Sequence, residues 1–197
     1  GPGLFDQKEG NFAQWIDLNL LDGHMWSSSK TWDPEGIPST FPAVCNVLLG
    51  AIAGWFLRRR QMNVLVPFGI LLLVGGQLWS LIFPINKALW TSSFVLLTCG
   101  LASLMFYLVW WVVDVKGYQT WAKPFQFMGM NALAAFVGSG LLSKILSMTG
   151  AHTWLWQNVY STIVSPAFGS LLFSLSHVLI FLLLSWWLWS RKIVIRV

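Results

Sequence analysis

Long apolar blocks alternate with short polar loops along most of this chain, and the alternation predicts its elements. Blocks over 38–57, 62–83, 89–113, 124–146 and 167–189 carry few charges. Each is near the roughly 20 residues a helix needs to cross a hydrocarbon core. Backbone groups find no water there, so each block must close its own hydrogen bonds as a helix. The expected fold is all-α, a polytopic transmembrane helix bundle with about five spans. Residues 1–37 form a separate extracytoplasmic segment and 38–197 form the bundle. Within the first segment, Asn11 to Leu21 predicts a short amphipathic helix with Phe12, Trp15, Ile16 and Leu20 on one face. Asp33-Pro34-Glu35-Gly36 then reads as a turn that caps the bundle. A loop over 147–166 holds an interfacial or re-entrant piece near 154–164. No internal repeat or low-complexity stretch occurs.

Composition agrees with a membrane protein. Only 10% of the 197 residues are charged, against about 25% in soluble domains, and mean hydropathy is +0.64. Charge also sets an orientation. With five spans, one face collects Arg58, Arg59, Arg60, Lys116, Lys123, Arg191, Lys192 and Arg196, and the other only Lys8, Lys30, Lys87 and Lys144. The first face is therefore expected in the cytoplasm, together with the C-terminus. The acids sort the other way: Asp6, Glu9, Asp17, Asp22, Asp33 and Glu35 face the exterior, and Asp114 the cytoplasm. Trp55, Trp110, Trp111, Trp186, Trp187 and Trp189 mark cytoplasmic span ends, and Trp79 and Trp90 exterior ones, where amphipathic rings prefer to sit. Rings at span ends exclude a nucleic-acid partner; the expected partner along the spans is membrane lipid. The residues before 38 lie outside any span, as they would in a piece cut from a longer protein. Gly1-Pro2 reads equally as a protease scar or as native sequence.

Several residues carry candidate chemistry. Cys45 and Cys99 read as small buried hydrophobes, and no metal-ligand spacing occurs. Gly50-x-x-x-Gly54 and Ala134-x-x-x-Gly138 read as close helix packing within the subunit or across a homodimer. Asn46, Gln77, Asn131 and His177 are costly polar groups inside spans, with Ser174 one turn before His177. Outside the membrane, His24 and Trp26 near Asp33 and Glu35 suit either a sugar-binding surface or a folded cap. On the cytoplasmic side, Lys123 precedes Pro124, a residue suited to a helix's first turn. Free N–H groups there, with Lys116 and the cluster Arg58, Arg59 and Arg60, suit a polyphosphate. Ordinary positive-inside bias produces the same loops.

Four blocks then resemble one family in order. They are Gly23-His24-Met25-Trp26 with Trp32-Asp33-Pro34-Glu35-Gly36, the run from Pro84-Ile85-Asn86-Lys87 to Thr91-Ser92-Ser93, Val113-Asp114-Val115-Lys116-Gly117, and Pro124-Phe125 with Gly129-Met130-Asn131. Together they resemble the heparan-α-glucosaminide N-acetyltransferases, the bacterial members most of all, and cover most of residues 10–145. The resemblance implies a transmembrane enzyme of a bacterial inner membrane. Acetyl-CoA is the cytosolic co-substrate, no metal is needed, and the acceptor is the amino group of a hexosamine or glycan on the far side. It also implies that this chain is the C-terminal half, and that the catalytic histidine lies in a missing N-terminal half that acts as its partner. His24 is not that residue, and the chain alone is expected to be inactive. On the acceptor side the resemblance places His24, Asp33, Glu35, Asn86 and Lys87. On the donor side it places Asn131, as a hydrogen-bond partner for pantetheine or the acetyl carbonyl, with Lys116, Lys123, Arg58, Arg59 and Arg60 for phosphates. The match fades after residue 145, so His152 and His177 gain nothing from it. A transporter or flippase half and a non-catalytic membrane scaffold are alternative readings of the same spans.

Overall fold

A computed structural model of the chain describes residues 3–4, 6–26, 31–162 and 165–195. Gly1, Pro2, Lys30, Arg196 and the end of the 154–164 segment, Ile163 and Val164, lie outside the described residues. The architecture is all-α, with eight α-helices among the described residues and a single isolated bridge, Gly3 with Asn11. Four helical stretches are long and apolar enough to cross a membrane, and a bent pair makes up to five. Internal contacts divide the chain into two units, Gly1–Val115 and Lys116–Val197.

The first unit begins with α1 (Phe12–Leu20). Asn11 caps it: its side chain accepts from the Gln14 N–H at 2.8 Å, a residue type preferred at that position. Phe12, Trp15 and Leu20 of the expected apolar face are exposed within this unit, and the buried residue of α1 is Asp17. Helix α2 (Ile37–Arg58) starts after Gly36 with Pro38 in its first turn, where a missing N–H costs nothing. It ends in a Schellman motif: Gln61 N–H donates to Phe56 O at 2.9 Å and Arg60 N–H to Leu57 O at 3.0 Å. Arg60 holds the left-handed position at φ 57°, usually glycine's. Arg59 lies over the Trp55 ring, 5.3 Å from its centroid.

Helices α3 (Leu65–Trp79) and α4 (Ser92–Trp110) form the core pair. A 3₁₀ turn over Met62–Val64 leads into α3, and a π-helical turn over Trp111–Val115 follows α4. Leu72, Val95 and Cys99 pack together with Leu49, Phe68, Trp90 and Leu96 around them. Backbones approach closely because glycines face across the pair. A Cβ on Gly76 would stand 2.6 Å from Leu97 N, and one on Gly100 2.6 Å from Leu73 N. Close packing was expected instead at Gly50 and Gly54, where an added Cβ would meet nothing within 4 Å in this unit. Cys99 is buried as expected, whereas Cys45 is exposed. Both environments are apolar when lipid is the solvent.

In the second unit the expected continuous span over 124–146 is broken. A 3₁₀ turn over Thr120–Ala122 leads into α5 (Lys123–Met130), which meets α6 (Ala132–Met148) at a 70° bend across Asn131. No proline or glycine stands at the break. Asn131 leaves the helix because its side chain pairs with residues 193 and 195 after α8: Nδ2 donates to Ile193 O at 3.2 Å and Oδ1 accepts from Ile195 N–H at 3.0 Å. Asn131 is 1% exposed. Gly138 of α6 packs on Phe181. After Gly150, at φ 73°, the short α7 (Ala151–Leu155) and a π-helical turn over Trp156–Tyr160 lead to α8 (Pro166–Ser190). The latter is capped by Ser165, whose Oγ accepts from Phe168 N–H at 3.3 Å. Helix α8 ends as α2 does: Ile193 N–H donates to Leu188 O and Lys192 N–H to Trp189 O, both at 2.9 Å, with Lys192 at φ 55°.

These contacts separate glycines that hold the fold from glycines that do not. Gly100→Ala is expected to destabilise the detergent-solubilised protein by about 1–3 kcal/mol through overpacking. Gly54→Ala is expected to leave the melting temperature within error. Thermal unfolding followed by tryptophan fluorescence distinguishes the two, and an equal effect of both substitutions would refute the packing assignment.

Candidate functional site

The segment ahead of α2 is organised by two carboxylates with different tasks. Asp17 of α1 is 3% exposed, and its Oδ1 accepts the Ile37 N–H at 2.9 Å. A side chain from a different helix therefore satisfies one of the free N–H groups with which every helix begins. Gly36 permits the approach, because a Cβ there would fall on the Asp17 carboxylate. Burial pushes the Asp17 pKa up, the Ile37 N–H pulls it back, and the Asp33 charge pushes it further up. Asp33 shapes the turn itself: Oδ1 accepts the Glu35 N–H at 2.9 Å and Oδ2 the Trp26 N–H at 3.1 Å.

This folding brings three of the five acceptor-side candidates together. His24, Asp33 and Glu35 line one cleft of about 460 Å³ with Leu21, Trp26 and Pro34. Asp33 is occupied by two backbone N–H groups, whereas Glu35 is exposed and its side chain makes no hydrogen bond among the described residues. His24 keeps its Nδ1 3.2 Å from Asp22 O. The chemical capacity of the cleft is one open carboxylate, an imidazole and an indole around a space large enough for a sugar ring.

Asn86 and Lys87 do not line that cleft. They sit on the loop between α3 and α4, which closes on itself. Asn86 N–H donates to Thr91 Oγ1 at 3.0 Å, Asn86 Oδ1 accepts Ala88 N–H at 2.9 Å, and Ser93 Oγ donates to Pro84 O at 3.1 Å. Asn86 Nδ2 also reaches Asp6 O at 3.2 Å. Thr91 and Ser93 are buried beneath. The same loop delivers Trp90, held at φ 51°, to a second cavity of about 390 Å³ that also contains Pro34 and Glu35.

The donor-side candidates fall in different units. Arg58, Arg59 and Arg60 terminate α2 in the first; Lys116, Lys123 and Asn131 belong to the second. Lys123 opens α5, and Asn131 closes it with its amide oxygen and one amide hydrogen engaged by the tail. No group of three or more His, Cys, Asp or Glu side chains suited to a metal forms among the described residues.

Two further features escaped sequence reasoning. Asp17 was legible only as one acid among six. Its role depends on a helix that starts twenty residues later. In the second unit, His152 and His177 flank Phe173, with ring centroids 5.1 and 4.6 Å from it. Both line a cleft of about 530 Å³ with Ser143, Ser147 and Ser174. The Ser174–His177 spacing was readable, but His152 arrives through the turn at Gly150.

By fold and composition the chain is a polytopic integral membrane protein with an extramembrane cleft beside its first span. No family model matches it. It is 31% identical over 158 residues to heparan-α-glucosaminide N-acetyltransferase of Homo sapiens, a match covering 69% of this chain and 24% of that protein. It is 28% identical over 189 residues to the protein of the same name from Mus musculus, covering 81% and 29% respectively. The chain is thus related in sequence to the heparan-α-glucosaminide N-acetyltransferases, and the matches span about a quarter of the length of these relatives.

The Asp17 contact has a testable pH dependence. A carboxyl held above its unfolded pKa contributes most below about pH 4 and loses that contribution as pH rises through the folded value. Protection of α1 amides, corrected for intrinsic exchange, is therefore expected to fall with rising pH in the native protein. Asp17→Asn keeps an acceptor for Ile37 and is expected to flatten the profile, whereas Gly36→Ala is expected to remove protection at every pH. A pH-independent native profile would show that the carboxylate is not strained by burial.

Proposed function

We propose that the complete gene product carrying these 197 residues is a membrane N-acetyltransferase. It moves acetyl from acetyl-CoA on the cytoplasmic side to the amino group of a hexosamine on the other side of a bacterial plasma membrane. The observation that carries this reading is the cleft of His24, Trp26, Asp33 and Glu35, in a chain related in sequence to N-acetyltransferases. Glu35, without a side-chain partner among the described residues, pairs with the hexosamine ammonium. Trp26 offers a sugar a flat apolar face, and Asp33 holds Trp26 and Glu35 in place through their N–H groups. Asn86 and Lys87 shape the loop beside this mouth.

The reaction needs a deprotonated amine to attack the acetyl carbonyl and a proton acceptor of near-neutral pKa to make it. The thioester bond breaks as the amide forms, and the thiol leaves with a proton. The proton acceptor belongs to sequence beyond this chain. Phosphates of the donor are held by Lys116 and Lys123 of the second unit. Asn131, 1% exposed, has its amide engaged by the tail and acts by fixing the break after α5 rather than by touching the donor.

The test is transfer of label from radioactive acetyl-CoA to glucosamine by the complete gene product in lipid nanodiscs. Glu35→Gln is expected to raise KM for glucosamine about 10- to 100-fold, the range of one charge-assisted hydrogen bond. Lys123→Gln is expected to raise KM for acetyl-CoA and leave that for glucosamine unchanged. No transfer, together with no coenzyme A binding by calorimetry, would move the chain to the transporter or scaffold class.

A further inference from the structure

We propose that the acceptor is an amino sugar carried on a lipid, its sugar in the His24–Glu35 cleft and its hydrocarbon chain along α2. This inference rests on the acceptor-site reading above and names the substrate class. Its basis is that two cavities of opposite character share a wall. The cleft of about 460 Å³ and the cavity of about 390 Å³ are both lined by Pro34 and Glu35. The first holds an imidazole and two carboxylates. The second runs down one face of α2 through Ser39, Ala43 and Val47, with Thr40 and Val44 beside them.

The second cavity offers little to a soluble sugar. Its two hydroxyls already donate to the Gly36 carbonyl, Ser39 Oγ at 2.9 Å and Thr40 Oγ1 at 2.9 Å. Below them the wall on α2 is hydrocarbon, and Val44 and Val47 are 51% and 71% exposed. The path from Ser39 to Val47 follows a membrane-spanning helix for about 12 Å at 1.5 Å per residue, starting from its extramembrane end. A chain laid there begins at headgroup depth and descends beside the acyl layer. Trp90 lines this cavity too, in a strained backbone conformation, and its buried Nε1 has no hydrogen-bond partner among the described residues. A buried donor without an acceptor marks a place where a further polar group belongs. The oxygen joining sugar to lipid supplies that acceptor. An ammonium for Glu35, an oxygen for Trp90 and a chain for Val44 and Val47 are complementary to three successive parts of one amphiphile.

The experiment compares glucosamine with dodecyl β-glucosaminide as acceptors for the complete gene product in nanodiscs, and uses a dodecyl glucosaminide with a diazirine in its chain as photolabel. The alkyl substrate is expected to show a KM at least about tenfold lower, since each buried methylene favours binding. Label is expected on the peptide containing residues 39–47. Ala43→Trp, which fills the groove, is expected to abolish the difference between the two substrates. Equal KM values in the native protein, or label distributed away from α2, would overturn the proposal. If neither acceptor is acetylated, the transferase reading fails and the photolabel alone decides this one. Competition by unlabelled dodecyl glucosaminide but not by dodecyl maltoside, which lacks the amine, upholds an amino-sugar lipid site. Competition by both refutes it.

Discussion

A helix that enters a membrane must close its first N–H groups before it leaves water, and much of the extramembrane architecture follows from that requirement. Unpaired backbone groups cannot be left for lipid to satisfy. Helix α2 begins with glycine and proline, neither of which offers a side-chain acceptor, so the acceptor comes from Asp17 on α1. The loop before α4 is closed by its own bonds, with Thr91, Asn86 and Ser93 bonded to one another and to the chain around them, although Thr91 makes no side-chain cap for α4. Helix α8 uses Ser165. The candidate cleft is a by-product of the first of these solutions. Docking α1 against the start of α2 leaves the intervening turn to fold over it, and that turn carries His24, Trp26, Asp33 and Glu35.

This arrangement explains why neighbouring acids cannot be treated as equivalent. Asp17 is buried and closes a helix, Asp33 organises a turn through two N–H groups, and the Glu35 side chain has no bond among the described residues. Proximity to a cleft therefore does not make carboxylates equivalent: both line the space, and Asp33 is the one already engaged by two N–H groups. The same logic applies to Asn86, whose amide is occupied within its loop and against Asp6. Its loop contributes to the site through Trp90, which it holds in a conformation that a tryptophan adopts only under constraint.

The all-α class was legible because lipid imposes a simple rule on composition. Apolar length reports span number, and the blocks at 38–57 and 167–189 fall inside α2 and α8 almost unchanged. Less legible was everything decided by contact between distant residues. The break at Asn131 has no local signal; it depends on carbonyl and N–H groups more than sixty residues later. Glycine spacing misled for a related reason. The Gly50-x-x-x-Gly54 pattern says that a backbone could approach, while Gly76 and Gly100 are where one does. In the cleft, residue types were readable from Trp, His and carboxylate clustering, but the separation of structural from open carboxylates required the hydrogen bonds.

The basic residues show how far charge alone carries a functional argument. Arg59 and Arg60 have a sufficient structural explanation, since one lies over Trp55 and the other occupies the left-handed position that ends α2. Lys192 repeats that role at the end of α8, in a motif with the same hydrogen bonds. Two helices that end identically need no ligand to account for their cations. Lys123 differs: it stands at the start of a helix, where the dipole already favours an anion and where a lysine gives no benefit to helix stability. A cation placed against the local dipole preference has a weaker structural explanation than one placed with it. The arginines therefore argue first for a clean exit of α2 from the membrane, an explanation that does not extend to Lys123.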